Sequence, residues 1–119
     1  MNFSVLIIDD DPEIRDALAI ALQRKGFKAS SDDHLTLNEL NDFPDIILLD
    51  VAIGDRQGTA ICKEIKSNSA TENIPVLMMS ANSSNCTSCL AVKADGFIEK
   101  PFKLSELIDR INYLLGVYG

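Results

Sequence analysis

The feature of this sequence that most restricts its possible folds is a series of short, purely apolar runs. The clearest are Val5–Ile8, Ile46–Leu49 and Val76–Met79, and a polar residue ends each of them. Runs this short that are apolar on both faces are typical of strands buried inside a parallel sheet. Because parallel strands need crossover connections, the sequence predicts an α/β fold with helices on both faces of the sheet.

Two further strands and three helical patterns complete this prediction. The strands are expected at Phe27–Ser30 and Gly96–Glu99. The helices are expected to begin at Pro12 with Asp11 as the N-cap, to cover Ala60–Lys66, and to run from Leu104 to Leu115. Five strands that alternate with helices predict a doubly wound, five-stranded parallel sheet.

Two further connecting helices are expected to be short. Leu35–Asn41, between the second and third strands, is predicted to be a short helix with Leu37 and Leu40 facing inward. Asn82–Cys89, between the fourth and fifth strands, consists of Asn, Ser, Thr and Cys, which are modest helix formers. We therefore expect shortened second and fourth helices.

The composition favours one globular domain and limits its partners. The 119 residues, 46% of them hydrophobic, can bury a core without disulfides or metal, so we expect one domain over residues 1–119. The net charge of −7 opposes binding to nucleic acid or to an anionic membrane surface. No apolar run approaches the ~20 residues that a membrane span requires.

The cysteines bear on the compartment and on one open question. Cys62, Cys86 and Cys89 are an odd number without an export signal, which predicts reduced thiols in the cytoplasm. For the Cys86-x-x-Cys89 pair, the favoured interpretation is that both cysteines pack as small side chains. A redox disulfide and a metal site are the alternatives. A zinc site needs four ligands, and beyond this pair only Cys62 and His34 remain.

Polar side chains of complementary charge follow four of the five predicted strands. Asp9 and Asp10 follow the first strand, Asp50 the third, Ser80 the fourth and Lys100 the fifth. The carboxyl ends of parallel strands meet at one edge of the sheet, so these residues are expected to lie together. Two carboxylates ~4 Å apart repel by about 4 kcal/mol at an effective dielectric of ~20. Such a cluster predicts a bound Mg²⁺, which prefers carboxylate oxygens.

Taken in order, these motifs resemble the receiver domain of two-component response regulators. The matching segments are Val5–Pro12, Pro44–Asp50 with Gly58 eight residues later, Ser80-Ala81, and Ala94–Phe102. The resemblance covers essentially the whole chain. It implies a flavodoxin-like receiver fold with the strand order 2-1-3-4-5.

The resemblance also implies a phosphorylation site with Mg²⁺ as cofactor. In the family pattern Asp50 is the phosphoacceptor, and Asp9, Asp10, Asp50 and the backbone carbonyl of Ala52 hold the metal. The chemistry is then limited to phosphorylation of this chain and its slow self-dephosphorylation, without turnover of a separate substrate.

Three further residues match positions that respond to the phosphoryl group in the family. Ser80 and Lys100 would each contact a phosphoryl oxygen. Ser80 and the aromatic Phe97 would form the conformational switch. The resemblance further implies that the Lys100–Pro101 bond is often cis.

The partners implied by the resemblance are proteins. A sensor histidine kinase or a histidine phosphotransfer protein would supply the phosphoryl group, and an unknown protein would receive the signal, without direct contact with nucleic acid or membrane. The sequence departs from the family pattern at Gly54, where proline is usual, and at Gln57, where Asp is common. Neither change removes a metal ligand.

Three other functions fit parts of the sequence. A pseudo-receiver scaffold is opposed by the complete set of site residues. A Mg²⁺-dependent aspartyl-phosphate phosphatase has a second Asp two residues after the nucleophile, but this chain has Ala52 at that position after Asp50. Asp9 and Asp11 do have the required spacing. The chain is nevertheless too short to include the substrate-covering cap that such enzymes need. A flavin-binding protein of the same topology needs a phosphate loop, and three aspartates stand in its place.

Overall fold

A computed structural model of the chain describes residues 3–32, 43–53, 56–81 and 92–117. The strands of its main sheet are β1 (Ser4–Ile8), β2 (Lys28–Asp32), β3 (Ile46–Asp50), β6 (Val76–Ser80) and β7 (Gly96–Glu99). This sheet is entirely parallel, with the order β2-β1-β3-β6-β7. Because β6 and β7 are the fourth and fifth predicted strands, the predicted order 2-1-3-4-5 is confirmed.

Three helices occur among the described residues. They are α1 (Pro12–Arg24), α2 (Gly58–Ser67) and α3 (Leu104–Leu115). None of the helices in the described part of the chain is long and apolar enough to cross a membrane.

The two faces of the sheet carry two separate apolar clusters, because successive strand residues point to opposite sides. On one face the buried side chains of α2 pack on the sheet; this cluster includes Ile8, Ile47, Leu49, Met78, Ile61 and Ile65. On the other face α1 and α3 pack on the sheet; this cluster includes Ile7, Leu48, Met79, Leu22, Leu107 and Ile111. Burial on both faces explains why β1, β3 and β6 lack alternation in sequence.

The ends of α1 follow the sequence signals closely. Asp11 has an extended backbone, and its side chain accepts a hydrogen bond from the Glu13 amide at 3.0 Å. Pro12 occupies the first turn, where no amide proton is needed. The chain leaves the helix through Gly26, whose φ of 95° is a conformation that glycine adopts at little cost.

One small element was not predicted. Ala52–Ile53 (β4) and Arg56–Gln57 (β5) form a two-stranded antiparallel pair where the sequence indicated only a loop. Two-residue strands are too short to produce an alternating pattern, so the sequence carries no signal for them. The expected short helices at Leu35–Asn41 and Asn82–Cys89 lie outside the described residues, as do His34, Cys86 and Cys89.

Candidate functional site

The carboxyl ends of β1 and β3 bring three carboxylates together. Asp50 is the last residue of β3, and Asp9 directly follows β1, whose Ile8 is paired with Leu49. Asp9, Asp10 and Asp50 each offer a carboxylate oxygen, and these atoms lie within 4.8 Å of one another. Asp9 is only 1% exposed, whereas Asp10 lies at the surface. The cluster therefore opens to solvent on one side.

Lys100 forms the positive side of this site. Its Nζ donates to Asp9 Oδ2 at 3.0 Å and to Asp50 Oδ2 at 2.9 Å. Only 19% of the Lys100 side chain is exposed, so its ion pairs with Asp9 and Asp50 are partly shielded from water. One ammonium faces three carboxylates, and the site remains acidic.

Two opposing effects act on the pKa of Lys100. Burial would by itself lower this pKa, because the ammonium loses contact with water. Hydrogen bonds to Asp50 and Asp9, together with the charges of both, outweigh burial and raise the pKa above its ordinary value. Lys100 is therefore a permanent cation at neutral pH, suited to pair with an anion at the same edge of the sheet.

Ser80 lies on β6, which pairs with β3, and Phe97 lies on β7, the edge strand beyond β6. Ser80 ends β6, is 6% exposed, and accepts a hydrogen bond at its carbonyl from the Lys100 amide at 2.8 Å. Phe97 is half-buried in β7, paired with Met78, and packs against the apolar cluster below α2. The Lys100–Pro101 bond is cis, as the resemblance implied. Ser80 and Lys100 thus leave neighbouring strands side by side.

The backbone after Asp50 is held close to the start of α2. The Gly58 amide donates to the Val51 carbonyl, and a Cβ at Gly58 would overlap the Asp50 carbonyl oxygen and lie 2.9 Å from the Val51 Cα. Only glycine allows this approach without displacing Asp50. Ala52 begins β4 two residues after Asp50. This packing explains why position 58 requires glycine, which sequence patterns alone left unexplained.

Comparison with known proteins identifies the family. The family description "response regulator receiver domain" matches residues 5–112, which is most of the chain. The chain belongs to this family. Receiver domains are signalling switches of two-component systems that bind Mg²⁺ at an acidic site and interact with histidine kinases.

Two curated relatives are about one-third identical to this receiver domain over the aligned residues. The sensory transduction protein RegX3 of Mycobacterium tuberculosis (strain ATCC 25618 / H37Rv) is 34% identical over 117 residues, which cover 94% of this chain and 50% of that protein. The phosphate regulon transcriptional regulatory protein PhoB of Escherichia coli (strain K12) is 33% identical over 116 residues, covering 93% and 51%. The receiver domain thus spans about half the length of the curated relatives it matches.

Solved structures show the same fold. The chemotaxis response regulator CheY4 of Vibrio cholerae has a TM-score of 0.86 and 25% identity, covering 96% of this chain and 99% of that one. The receiver domain of the sensor histidine kinase PA1611 from Pseudomonas aeruginosa PAO1 has a TM-score of 0.87 at 20% identity, covering 98% and 99%. That structure holds a magnesium ion coordinated in its active-site cleft.

The structure brings most of the predicted site residues to one edge of the sheet. Asp9, Asp10, Asp50 and Lys100 lie together, with Ser80 beside them, whereas Asp11 is a helix cap, as its position before Pro12 indicated. Sequence reasoning overlooked Arg15, whose guanidinium contacts the Asp9 carbonyl from α1. The only sequence signal for this contact was the position of Arg15 in the first turn of α1, shortly after Asp9 and Asp10.

Proposed function

We propose that this receiver domain is a phosphorylation-dependent switch that accepts a phosphoryl group on Asp50. The donor is a sensor histidine kinase or a histidine phosphotransfer protein. The observation that carries the proposal is the joint placement of three carboxylates within 4.8 Å and of the Lys100 ammonium that bridges Asp9 and Asp50. In this proposal, residues 1–119 form one receiver domain.

The donor set fits Mg²⁺. The ligands would be carboxylate oxygens of Asp9, Asp10 and Asp50 and the backbone carbonyl of Ala52, all of them hard oxygen donors. The exposure of Asp10 leaves one side open for water and phosphate oxygens. A bound Mg²⁺ supplies the positive charge that lets an anionic phosphodonor approach three carboxylates.

Phosphoryl transfer to Asp50 then depends on position and charge. A carboxylate oxygen of Asp50 forms the bond to phosphorus while the bond from phosphorus to the donor nitrogen breaks. Lys100, 2.9 Å from Asp50 Oδ2, is placed to pair with a phosphoryl oxygen as negative charge spreads over the transferring group. The Ser80 hydroxyl, at the end of the adjacent strand, is the proposed donor to a second phosphoryl oxygen.

Phosphorylation would act on the rest of the domain through Ser80 and Phe97. The phosphoryl group adds about two negative charges to an acidic site, which draws hydroxyl and ammonium donors toward it. Movement of Ser80 changes the packing at the end of β6, and Phe97 follows on the neighbouring strand β7. In phosphorylated Ser80→Ala, the amide resonances of β7 should therefore shift less than in phosphorylated wild type, and equal shifts would contradict the proposed switch.

The output is proposed to be a contact with a protein. The net charge of −7 disfavours nucleic acid as a direct ligand of this domain. The receiver domain supports its own phosphorylation and slow dephosphorylation in this proposal, and it turns over no separate substrate.

Intact-mass spectrometry after incubation with a small phosphodonor tests this function. Wild type should gain one phosphoryl group with Mg²⁺ and none with EDTA, and Asp50→Asn should gain none. Asp16→Asn, an exposed carboxylate on α1, is the matched control and should be phosphorylated like wild type.

Each other result favours a different function. Mg²⁺ binding without an adduct would indicate a pseudo-receiver scaffold. Continued hydrolysis of small phosphate esters, lost in Asp50→Asn, would indicate a phosphatase. An adduct that persists in Asp50→Asn would contradict the assignment of the phosphoacceptor.

A further inference from the structure

Arg15 reaches from the first turn of α1 to the loop that carries the acid pair. Its Nη1 donates to the Asp9 carbonyl oxygen at 3.2 Å, and its backbone amide donates to the Asp11 carbonyl at 3.0 Å. The Arg15 Nε is buried and has no hydrogen-bond partner. Burying a guanidinium nitrogen without a hydrogen-bond partner costs free energy. The hydrogen bond from Nη1 to Asp9 keeps the Arg15 side chain in place despite this cost.

The carbonyl that Arg15 contacts belongs to the peptide unit between Asp9 and Asp10. This unit is a rigid plane, so a hydrogen bond to its oxygen restrains the backbone of both residues at once. The Asp9 side chain is already fixed, because Oδ1 accepts from the Asp11 amide at 3.0 Å and Oδ2 from Lys100 at 3.0 Å. Asp10 is exposed, and the orientation of the peptide plane sets the direction in which its side chain leaves the backbone.

We propose that Arg15 is a positioning residue for Mg²⁺ binding, because it orients the Asp9–Asp10 peptide and so directs the Asp10 carboxylate toward Asp9 and Asp50. This role rests on the magnesium site of the proposed function. Groups that orient metal ligands without touching the metal commonly change metal affinity by about 10–100-fold. Arg15 acts through the backbone, so the lower end of this range applies.

The charge of Arg15 alone predicts the opposite effect. A guanidinium near the acid cluster repels a cation, so its removal would strengthen Mg²⁺ binding if charge were its only contribution. Loss of the hydrogen bond to Asp9 would weaken binding. A role limited to stabilising α1 would lower the unfolding temperature and leave the Mg²⁺ dissociation constant unchanged. The sign of the affinity change therefore distinguishes the three roles.

The test is calorimetric titration of Mg²⁺ into wild type, Arg15→Met, Arg15→Lys and Arg24→Met, with thermal unfolding measured in parallel. Arg24→Met removes the same charge from the exposed last turn of the same helix and is the matched control. We expect about tenfold weaker binding in Arg15→Met, an intermediate loss in Arg15→Lys, and unchanged binding in Arg24→Met.

Equal or tighter Mg²⁺ binding by Arg15→Met would overturn the positioning role, and so would an equal loss in Arg24→Met. If Arg15→Met does not fold, Arg15→Lys decides, and wild-type affinity in that variant overturns the role. Absence of Mg²⁺ binding by wild type would instead overturn the proposed magnesium site, and the role of Arg15 with it.

Discussion

At the scale of single residues, the Lys100 ammonium offsets part of the repulsion between the carboxylates of the site. Its ammonium is within 3.0 Å of both Asp9 Oδ2 and Asp50 Oδ2. Carboxylates this crowded repel each other, and the shared cation offsets part of that repulsion. In metal-free protein, Lys100 is therefore a source of stability as well as a proposed contact for the phosphoryl group.

We expect Lys100→Met to destabilise the metal-free protein by about 1–3 kcal/mol, because it leaves two crowded carboxylates without their cation. Denaturant unfolding in EDTA measures the loss. Lys103→Met removes an exposed lysine nearby and should change stability by about 0.5 kcal/mol or less. Equal stability of Lys100→Met and wild type would show that the bridge contributes nothing.

The pH dependence of this stabilisation follows from the raised pKa of Lys100. Its ordinary value is 10.5, and the folded value is higher. The contribution of Lys100 to the free energy of unfolding is therefore fully present below pH 10.5, and it is lost as the pH rises through the folded pKa of Lys100. The stability difference between wild type and Lys100→Met in EDTA should be constant near neutral pH and shrink above pH 10.5. A difference that grows with pH would contradict this sign.

Gly58 shows how one backbone position shapes the site. A Cβ there would overlap the Asp50 carbonyl oxygen, which the rigid end of β3 holds in place. Gly58→Ala should cost about 1–3 kcal/mol in unfolding experiments and should slow phosphorylation of Asp50, because the backbone of that residue must move.

Gly96→Ala is the control for Gly58→Ala. Its Cβ would meet the methyl groups of Leu77 at 3.0 Å and Leu114 at 3.3 Å, which are the ends of flexible side chains. It should lose less stability and retain wild-type phosphorylation. If Gly96→Ala proves the more damaging change, the close approach of α2 to Asp50 is not the limiting constraint.

At the scale of elements, β3 links the core to the site. Its first four residues are buried, and its last is Asp50, so the packing that holds the strand also places the carboxylate. β1 and β6 pair with it on either side. Disturbing the middle of β3 should therefore affect both stability and chemistry.

Leu48→Ala should cost about 2–5 kcal/mol, because it removes a fully buried side chain from the central strand. Chemical denaturation measures this loss. Ile20→Ala, on the exposed side of α1 with 50% exposure, should cost about 0.5 kcal/mol or less. Similar losses in both variants would contradict the assignment of the core.

At the scale of the whole molecule, the acidic charge bears on the proposed magnesium site. The net charge of −7 includes the three site carboxylates. A divalent cation bound among them relieves local repulsion, and a ligand that binds only the folded state stabilises that state. Stability is therefore expected to depend on Mg²⁺.

Free Mg²⁺ at about ten times its dissociation constant should stabilise wild type by about 1.4 kcal/mol relative to EDTA. Thermal or denaturant unfolding measures the difference. Asp10→Asn should lose most of it, whereas Asp16→Asn should keep it, because Asp16 lies outside the cluster. Stabilisation that survives in Asp10→Asn would place Mg²⁺ elsewhere on the protein.

Much of this arrangement was predictable from particular residues. Val5–Ile8 and Ile46–Leu49 are apolar on both faces, which is typical of strands in a covered parallel sheet. The polar residues that end the strands then have to meet at one edge. Asp11 before Pro12 marked the start of α1 for the same local reason, since a cap and a first-turn proline act within a few residues.

The sequence by itself determined the parallel sheet and the edge that carries Asp9, Asp10, Asp50 and Lys100, because periodicity and strand-end chemistry are local properties of the chain, whereas the strand order was implied by the resemblance to receiver domains. Only the tertiary structure decided that Lys100 bridges Asp9 and Asp50, that Gly58 packs on the backbone of Asp50, and that Arg15 restrains the acid pair. These contacts join residues far apart in sequence or depend on ångström-scale packing, and no local pattern encodes such distances.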